Sequence, residues 1–153
     1  LQYADAFKNA EAAMRVLLEV CGSANFETKK DWNKVYEKNA EPVYVKKFDI
    51  GRVFALKIIY NIMLQDLFDE HWYDITTTPQ WNPNFAYMER IECLTSHCDV
   101  LKYATRDIMF VKGREFLVCR LYRKIGTNIY VAARSFEMDE IPERRGKVRY
   151  GIS

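Results

Sequence analysis

The sequence predicts an α+β domain built on a curved antiparallel sheet. Three observations carry this expectation: a helix-period segment opens the chain, short β-rich runs follow in two groups, and one further helix-period segment lies between the groups. The connections are short, which suits antiparallel pairing, because a parallel crossover needs a dozen or more residues. With 153 residues, 49% of them hydrophobic, the chain has material for one compact domain with its own core, expected over 1–153.

Phe7, Ala10, Met14, Leu17 and Cys21 recur at steps of three and four, with Lys8, Glu11, Arg15 and Glu19 between them. That is an amphipathic helix, and Gly22 closes it. Lys34–Lys38, Val43–Phe48 and Arg52–Ile59 are rich in β-branched and aromatic residues, and Asn39–Pro42 and Asp49–Gly51 interrupt them as turns, giving an antiparallel meander. Leu64, Leu67, Phe68 and Trp72 mark a second helix. Thr76-Thr77-Thr78-Pro79 ends it or follows its end, and reads as a solvated loop. Four more strands are expected at Ala86–Leu94, Val100–Thr105, Phe116–Arg123 and Asn128–Ser135, with turns at Lys112-Gly113 and Gly126-Thr127.

Composition excludes several function classes. The formal net charge is +2, far from the basic field that non-specific nucleic-acid binding needs. Every apolar stretch falls well short of the roughly 20 residues of a membrane-spanning helix. Four cysteines lie apart without a CxxC pair and no signal peptide precedes them, which fits a reducing, cytosol-facing compartment. The chain opens on Leu1 and stops just after the strand-like Lys147–Tyr150, so both ends read as cut from something longer.

No Gly-rich phosphate loop, zinc-protease helix, nucleophile elbow or calcium loop is present, and the only histidines are His71 and His97. No catalytic residue and no cofactor are expected. Cys93, His97 and Cys98 are close in sequence, but structural zinc takes four ligands and only three are local. They read as a reduced core cysteine beside a surface turn, with no metal.

Arg120 is more informative. Strand alternation places Phe116, Val118, Arg120 and Tyr122 on one face and Leu117, Cys119 and Leu121 on the other. If the first face lines a concavity, a guanidinium stands on an apolar wall, where it needs a partner and can orient the polar end of a ligand. The same spacing also suits an edge arginine with its stem along the sheet.

Gly51–Leu56, the helix ending near Glu70, Gln80-Trp81-Asn82-Pro83-Asn84, Gly113–Arg120 and Ile141–Arg149 follow one another in an order that resembles the START lipid-binding domains. The resemblance covers almost the whole chain and is strongest to the cholesterol-handling branch, the steroidogenic acute regulatory and endosomal cholesterol-transfer proteins. It implies a helix-grip fold: a U-shaped sheet around a long C-terminal helix, with a tunnel for one lipid. The family domain continues beyond Ser153 for two strands and that lid helix, so the chain is expected to stop before them.

The resemblance also implies site residues. Arg120 matches the family arginine that helps bind a sterol hydroxyl, and Val118 and Phe116, on the same strand face, are read as ligand contacts beside it; Trp81 reads first as an anchor that packs the helix-to-strand turn and second as a ligand contact. Its acidic partner, counted without gaps from Trp81, falls on Tyr103, where a phenol would replace the carboxylate and put sterol specificity in doubt. Arg114 and Glu115 are read as a structural ion pair or turn contact.

The implied function is non-enzymatic binding and transfer of one sterol-like lipid by a monomer that touches membranes transiently, at mitochondria or late endosomes. The alternatives are a lipid-sensing regulatory or scaffold domain of a larger protein and, more weakly, an enzyme on the same architecture.

Overall fold

The computed structural model describes residues 2–143 and the short strand at 148–149. Its elements are α1 (Ala4–Cys21), β1 (Asn33–Lys38), β2 (Glu41–Phe48), β3 (Gly51–Leu56), α2 (Leu64–Trp72), a 3-10 turn (Ile75–Thr77), α3 (Thr78–Trp81), β4 (Phe85–Thr95), β5 (Cys98–Thr105), β6 (Arg114–Ile125), β7 (Asn128–Ser135) and β8 (Val148–Arg149). They divide between two compact units, Glu19–Met63 and Leu1–Leu18 with Leu64–Ser153. Of the Ile141–Arg149 motif, residues 144–147 lie outside the described residues.

The smaller unit is the expected meander, with β2 between β1 and β3. Its first turn is tighter than the sequence suggests. Asn39 and Ala40 both take positive φ (53° and 63°), a primed two-residue hairpin, and Glu41 and Pro42 already belong to β2. The third strand stops at Leu56 rather than Ile59. Leu56 pairs with Val43, and the next residue of β2 is Pro42, which has no N–H to continue the ladder. Phe26, Trp32 and Phe48 pack at ring-centroid distances of 5.9 and 5.7 Å, with Trp32 buried between them.

The larger unit is a sheet in the order β4-β5-β6-β7, antiparallel throughout, with β8 pairing in parallel with the first residues of β6. Because side chains alternate, each strand serves two faces. One face packs α1. Ala6, Ala10 and Met14 meet Cys98, Val100, Leu117, Cys119, Leu121 and Ala132, with Phe7 and Leu17 flanking the buried line. Two alanines let the helix backbone approach closely, and full burial of Met14 contributes about 2 kcal/mol. The other face receives Phe68 and Trp72 of α2, whose rings pack edge-on against Tyr122 at 4.8 and 4.6 Å.

One expectation is corrected here. The Thr76–Pro79 stretch is helical rather than a loop: Thr78 is buried, its hydroxyl donates to the Ile75 carbonyl at 2.6 Å, and Pro79 occupies the first turn of α3. A proline there is favoured because its missing N–H would have no partner anyway. Glu115, expected in a structural ion pair or turn contact, is an interior residue. It is fully buried on the α1 side, where it accepts a hydrogen bond from the Tyr87 hydroxyl, while Arg114 is exposed and its backbone N–H donates to Thr105 Oγ1 at 2.9 Å.

Candidate functional site

The site is built where β5 and β6 run side by side. Their register pairs Asp99 with Arg120, Leu101 with Val118 and Tyr103 with Phe116, and these six residues share the face that α2 packs on. Leu101 and Val118 are 2% and 6% exposed, and the Tyr103 and Phe116 rings stack at 5.1 Å with 22° between their planes. Phe85 adds an edge contact to Tyr103 at 5.7 Å. The face is therefore apolar and aromatic along most of its length, with one charged cluster at the end nearest α2.

That cluster is closely bonded. Arg120 Nε donates to Asp99 Oδ1 at 2.9 Å, and Nη2 donates to Oδ2 at 2.7 Å, a bidentate pair. Nη1 donates to the His71 carbonyl at 2.8 Å and Nη2 to the Trp72 carbonyl at 3.1 Å. These carbonyls belong to the last turn of α2, where the helix dipole favours a cation. The guanidinium carbon also lies 4.1 Å from the centroid of a Trp72 ring. Arg90, on β4, joins the same carboxylate: its Nε donates to Asp99 Oδ2 at 3.1 Å, and its Nη2 donates to the Trp72 and Tyr73 carbonyls at 2.7 and 3.1 Å.

The expectation of an arginine without a carboxylate partner is overturned. Arg120 and Asp99 are 6% and 3% exposed and face each other as direct cross-strand partners. Tyr103 is four residues further along β5, about 13 Å away at strand spacing. Ungapped counting from Trp81 does not reach the acid, and the strand between them, β4, shifts register against β5 three times, at Phe85/Tyr87, Arg90/Glu92 and Cys93/Thr95. The signal that would have found Asp99 was local: it is the one carboxylate in the otherwise apolar run from Cys98 to Leu101. Arg90 carried no comparable signal, since its pairing depends on where α2 ends.

Of the five sequence-predicted contacts, Arg120, Val118, Phe116 and Tyr103 come together on this face. Trp81 does not. It ends α3 with 53% of its surface exposed and a ring centroid 6.5 Å from that of His71. Burial pushes the Tyr103 phenol above its usual range. The Ser135 hydroxyl, on the β7 residue paired with Val118, is buried with no hydrogen-bond partner.

The soft-ligand cluster is dispersed. Cys93 and His97 are exposed, whereas Cys98 is buried against α1 with its Sγ 3.5 Å from that of Cys119. No group of three or more metal-ligating side chains occurs among the described residues. No helix among the described residues is long and apolar enough to cross a membrane.

Comparison with known proteins agrees with this architecture. The START domain pattern matches residues 11–152. Steroidogenic acute regulatory-like protein 1 of Caenorhabditis elegans is 29% identical over 150 residues, covering 97% of this chain and 58% of that protein. The human mitochondrial steroidogenic acute regulatory protein is 20% identical over 146 residues, covering 93% of this chain and 50% of that protein. The chain thus spans about half the length of the curated relatives it matches. Among solved structures, human StAR-related lipid transfer protein 5 superposes with a TM-score of 0.74 at 19% identity, over 96% of this chain and 70% of that one, a likeness of fold. Sequence pattern, strand order and relatives agree, and the chain belongs to the START domain family of lipid-transfer proteins.

Proposed function

We propose that this chain binds one sterol-like lipid and carries it between membranes as a monomer, with no bond made or broken. The observation that carries the proposal is the buried Arg120–Asp99 pair at one end of a face made of Leu101, Val118, Phe116 and Tyr103. Such a face offers an apolar body its surroundings and a polar end a fixed donor, the recurring layout of small-molecule sites. Of Arg120's five N–H groups, four are committed to Asp99, His71 and Trp72, which leaves one on Nη1 to orient a ligand oxygen. Shielding of apolar ligand surface at about 25 cal/mol per Å2 supplies the affinity.

Membrane contact is assigned to the β5–β6 connection. Ile108, Met109, Phe110 and Val111 are 63%, 89%, 98% and 63% exposed there, and Arg106 and Lys112 flank them. A greasy tip whose rim, Arg106 with the Lys112–Asp107 ion pair, carries one net positive charge suits an anionic bilayer surface. Mitochondrial or late endosomal membranes, approached from the cytosolic side, are the proposed surfaces; the names of several relatives include the word mitochondrial.

The test is binding of dehydroergosterol followed by energy transfer from tryptophan, and transfer of that sterol between donor and acceptor vesicles. One sterol per chain is expected, with saturable transfer. Absence of binding overturns the proposal. Phe110→Ser is expected to leave binding in solution unchanged and to weaken vesicle association roughly 30-fold, the equivalent of about 2 kcal/mol of lost Phe burial.

A further inference from the structure

The candidate site has more positive charge than one carboxylate can offset. Arg90 and Arg120 come from the strands on either side of β5, and both bond Asp99, which engages Arg120 through both oxygens and Arg90 through Oδ2 alone. The carbonyls of His71, Trp72 and Tyr73 take up further N–H groups, but a helix terminus supplies only about half a negative charge. A positive remainder persists beside the buried Leu101 and Val118, screened only on the Arg90 side, where that side chain is 27% exposed. Besides the one N–H on Arg120, both N–H groups of Arg90 Nη1 have no acceptor among the described residues.

We propose that the Arg90–Asp99–Arg120 cluster selects a lipid whose polar end is a carboxylate, with a long-chain fatty acid and an acidic sterol derivative as the two sources of that chemistry. This rests on the lipid-binding reading above and goes beyond it in naming the polar group. A neutral hydroxyl can accept from at most two of these donors and leaves the excess charge in place. A carboxylate accepts from several and neutralises it. Arg90 is then a specificity residue, distinct from a brace that only fastens α2 to the sheet.

The experiment is equilibrium binding of matched radiolabelled lipids to the whole chain at pH 7.4: oleate against oleyl alcohol and methyl oleate, and cholesteryl hemisuccinate against cholesterol. Each carboxylate is expected to bind about tenfold more tightly than its neutral counterparts, the margin of charged over neutral hydrogen bonds. If only one carboxylate shows this preference, it identifies the source. Arg90→Gln, which keeps a donor for the α2 carbonyls and removes the charge, is expected to reduce the ratio to below about threefold.

Equal binding of acids and neutral lipids by the unaltered chain overturns the inference and leaves lipid binding intact. So does an undiminished ratio in folded Arg90→Gln, since a brace alone would change stability without changing preference. Should that variant fail to fold, the comparison of oleate with methyl oleate decides the matter without it, because the ester keeps the carbonyl acceptor and lacks the charge. If none of the five lipids binds, the lipid-carrier reading falls as well.

Discussion

Removing Asp99 is the most direct test of how the site is held. The carboxylate is 4% exposed at its side chain and accepts three N–H groups, two from Arg120 and one from Arg90. Asp99→Ala leaves the Arg120 guanidinium, itself 7% exposed at the side chain, without its counter-ion. Breaking a buried pair in this way costs about 3–5 kcal/mol. Arg120 keeps its two carbonyl acceptors on α2, so the expected loss is at the lower end, about 3 kcal/mol. With a urea m-value of about 2 kcal/mol/M, the unfolding midpoint should fall by about 1.5 M.

The companion variant gives the argument its edge. Replacing both partners, Asp99→Leu with Arg120→Met, removes the buried pair together with its desolvation cost and leaves Arg90, 27% exposed at its side chain, to water and the Trp72 and Tyr73 carbonyls. Exchanges of a buried pair are neutral or stabilising in other proteins. The double variant should therefore recover most of the lost stability while losing ligand preference. Urea melts followed by circular dichroism measure the stability of both variants, and the binding of oleate against methyl oleate measures the preference. A cost below about 1 kcal/mol for Asp99→Ala, or a double variant no more stable than the single one, would refute the view that an uncompensated charge is what destabilises.

Three further outcomes follow from particular residues. Ala40→Gly should stabilise the chain by about 1 kcal/mol in thermal melts, because Ala40 sits at φ 63°, where a Cβ is penalised and glycine is not. Ser135→Ala should raise the urea midpoint by an amount equivalent to about 1 kcal/mol, since the hydroxyl is buried with no partner; a loss would mean that it has one in solution. Burial raises the Tyr103 phenol, and burial together with the Tyr73 hydroxyl raises Tyr122. The folded state therefore holds these protons after the unfolded chain releases them near pH 10, so stability is full below pH 10 and falls above it. Tyr103→Phe with Tyr122→Phe should flatten that alkaline decline in melts taken between about pH 9 and 11.

The elements of this fold were legible in the sequence because local rules dictate them. The three- and four-residue steps from Phe7 to Cys21 mark α1, and the alternation from Phe116 to Tyr122 separates the α1 side of β6 from the α2 side, since side chains on a strand must alternate. The order of motifs was enough to place the chain in its family, because that order survives substitutions that lower identity to 29% or less. Arg120 stood out for the same local reason: it is a charge in an apolar run. What partners it did not. Asp99, Arg90 and the carbonyls of His71, Trp72 and Tyr73 lie 21 to 49 residues away from Arg120 along the chain, and they meet because β5 and β6 pair Asp99 with Arg120, bulges in β4 set its register against β5, and α2 ends above the sheet. One extra residue in a strand moves every later side chain by one pair, so spacing along the chain cannot give the partner across it. The tertiary structure alone decides that, and with it the charge the site presents to a ligand.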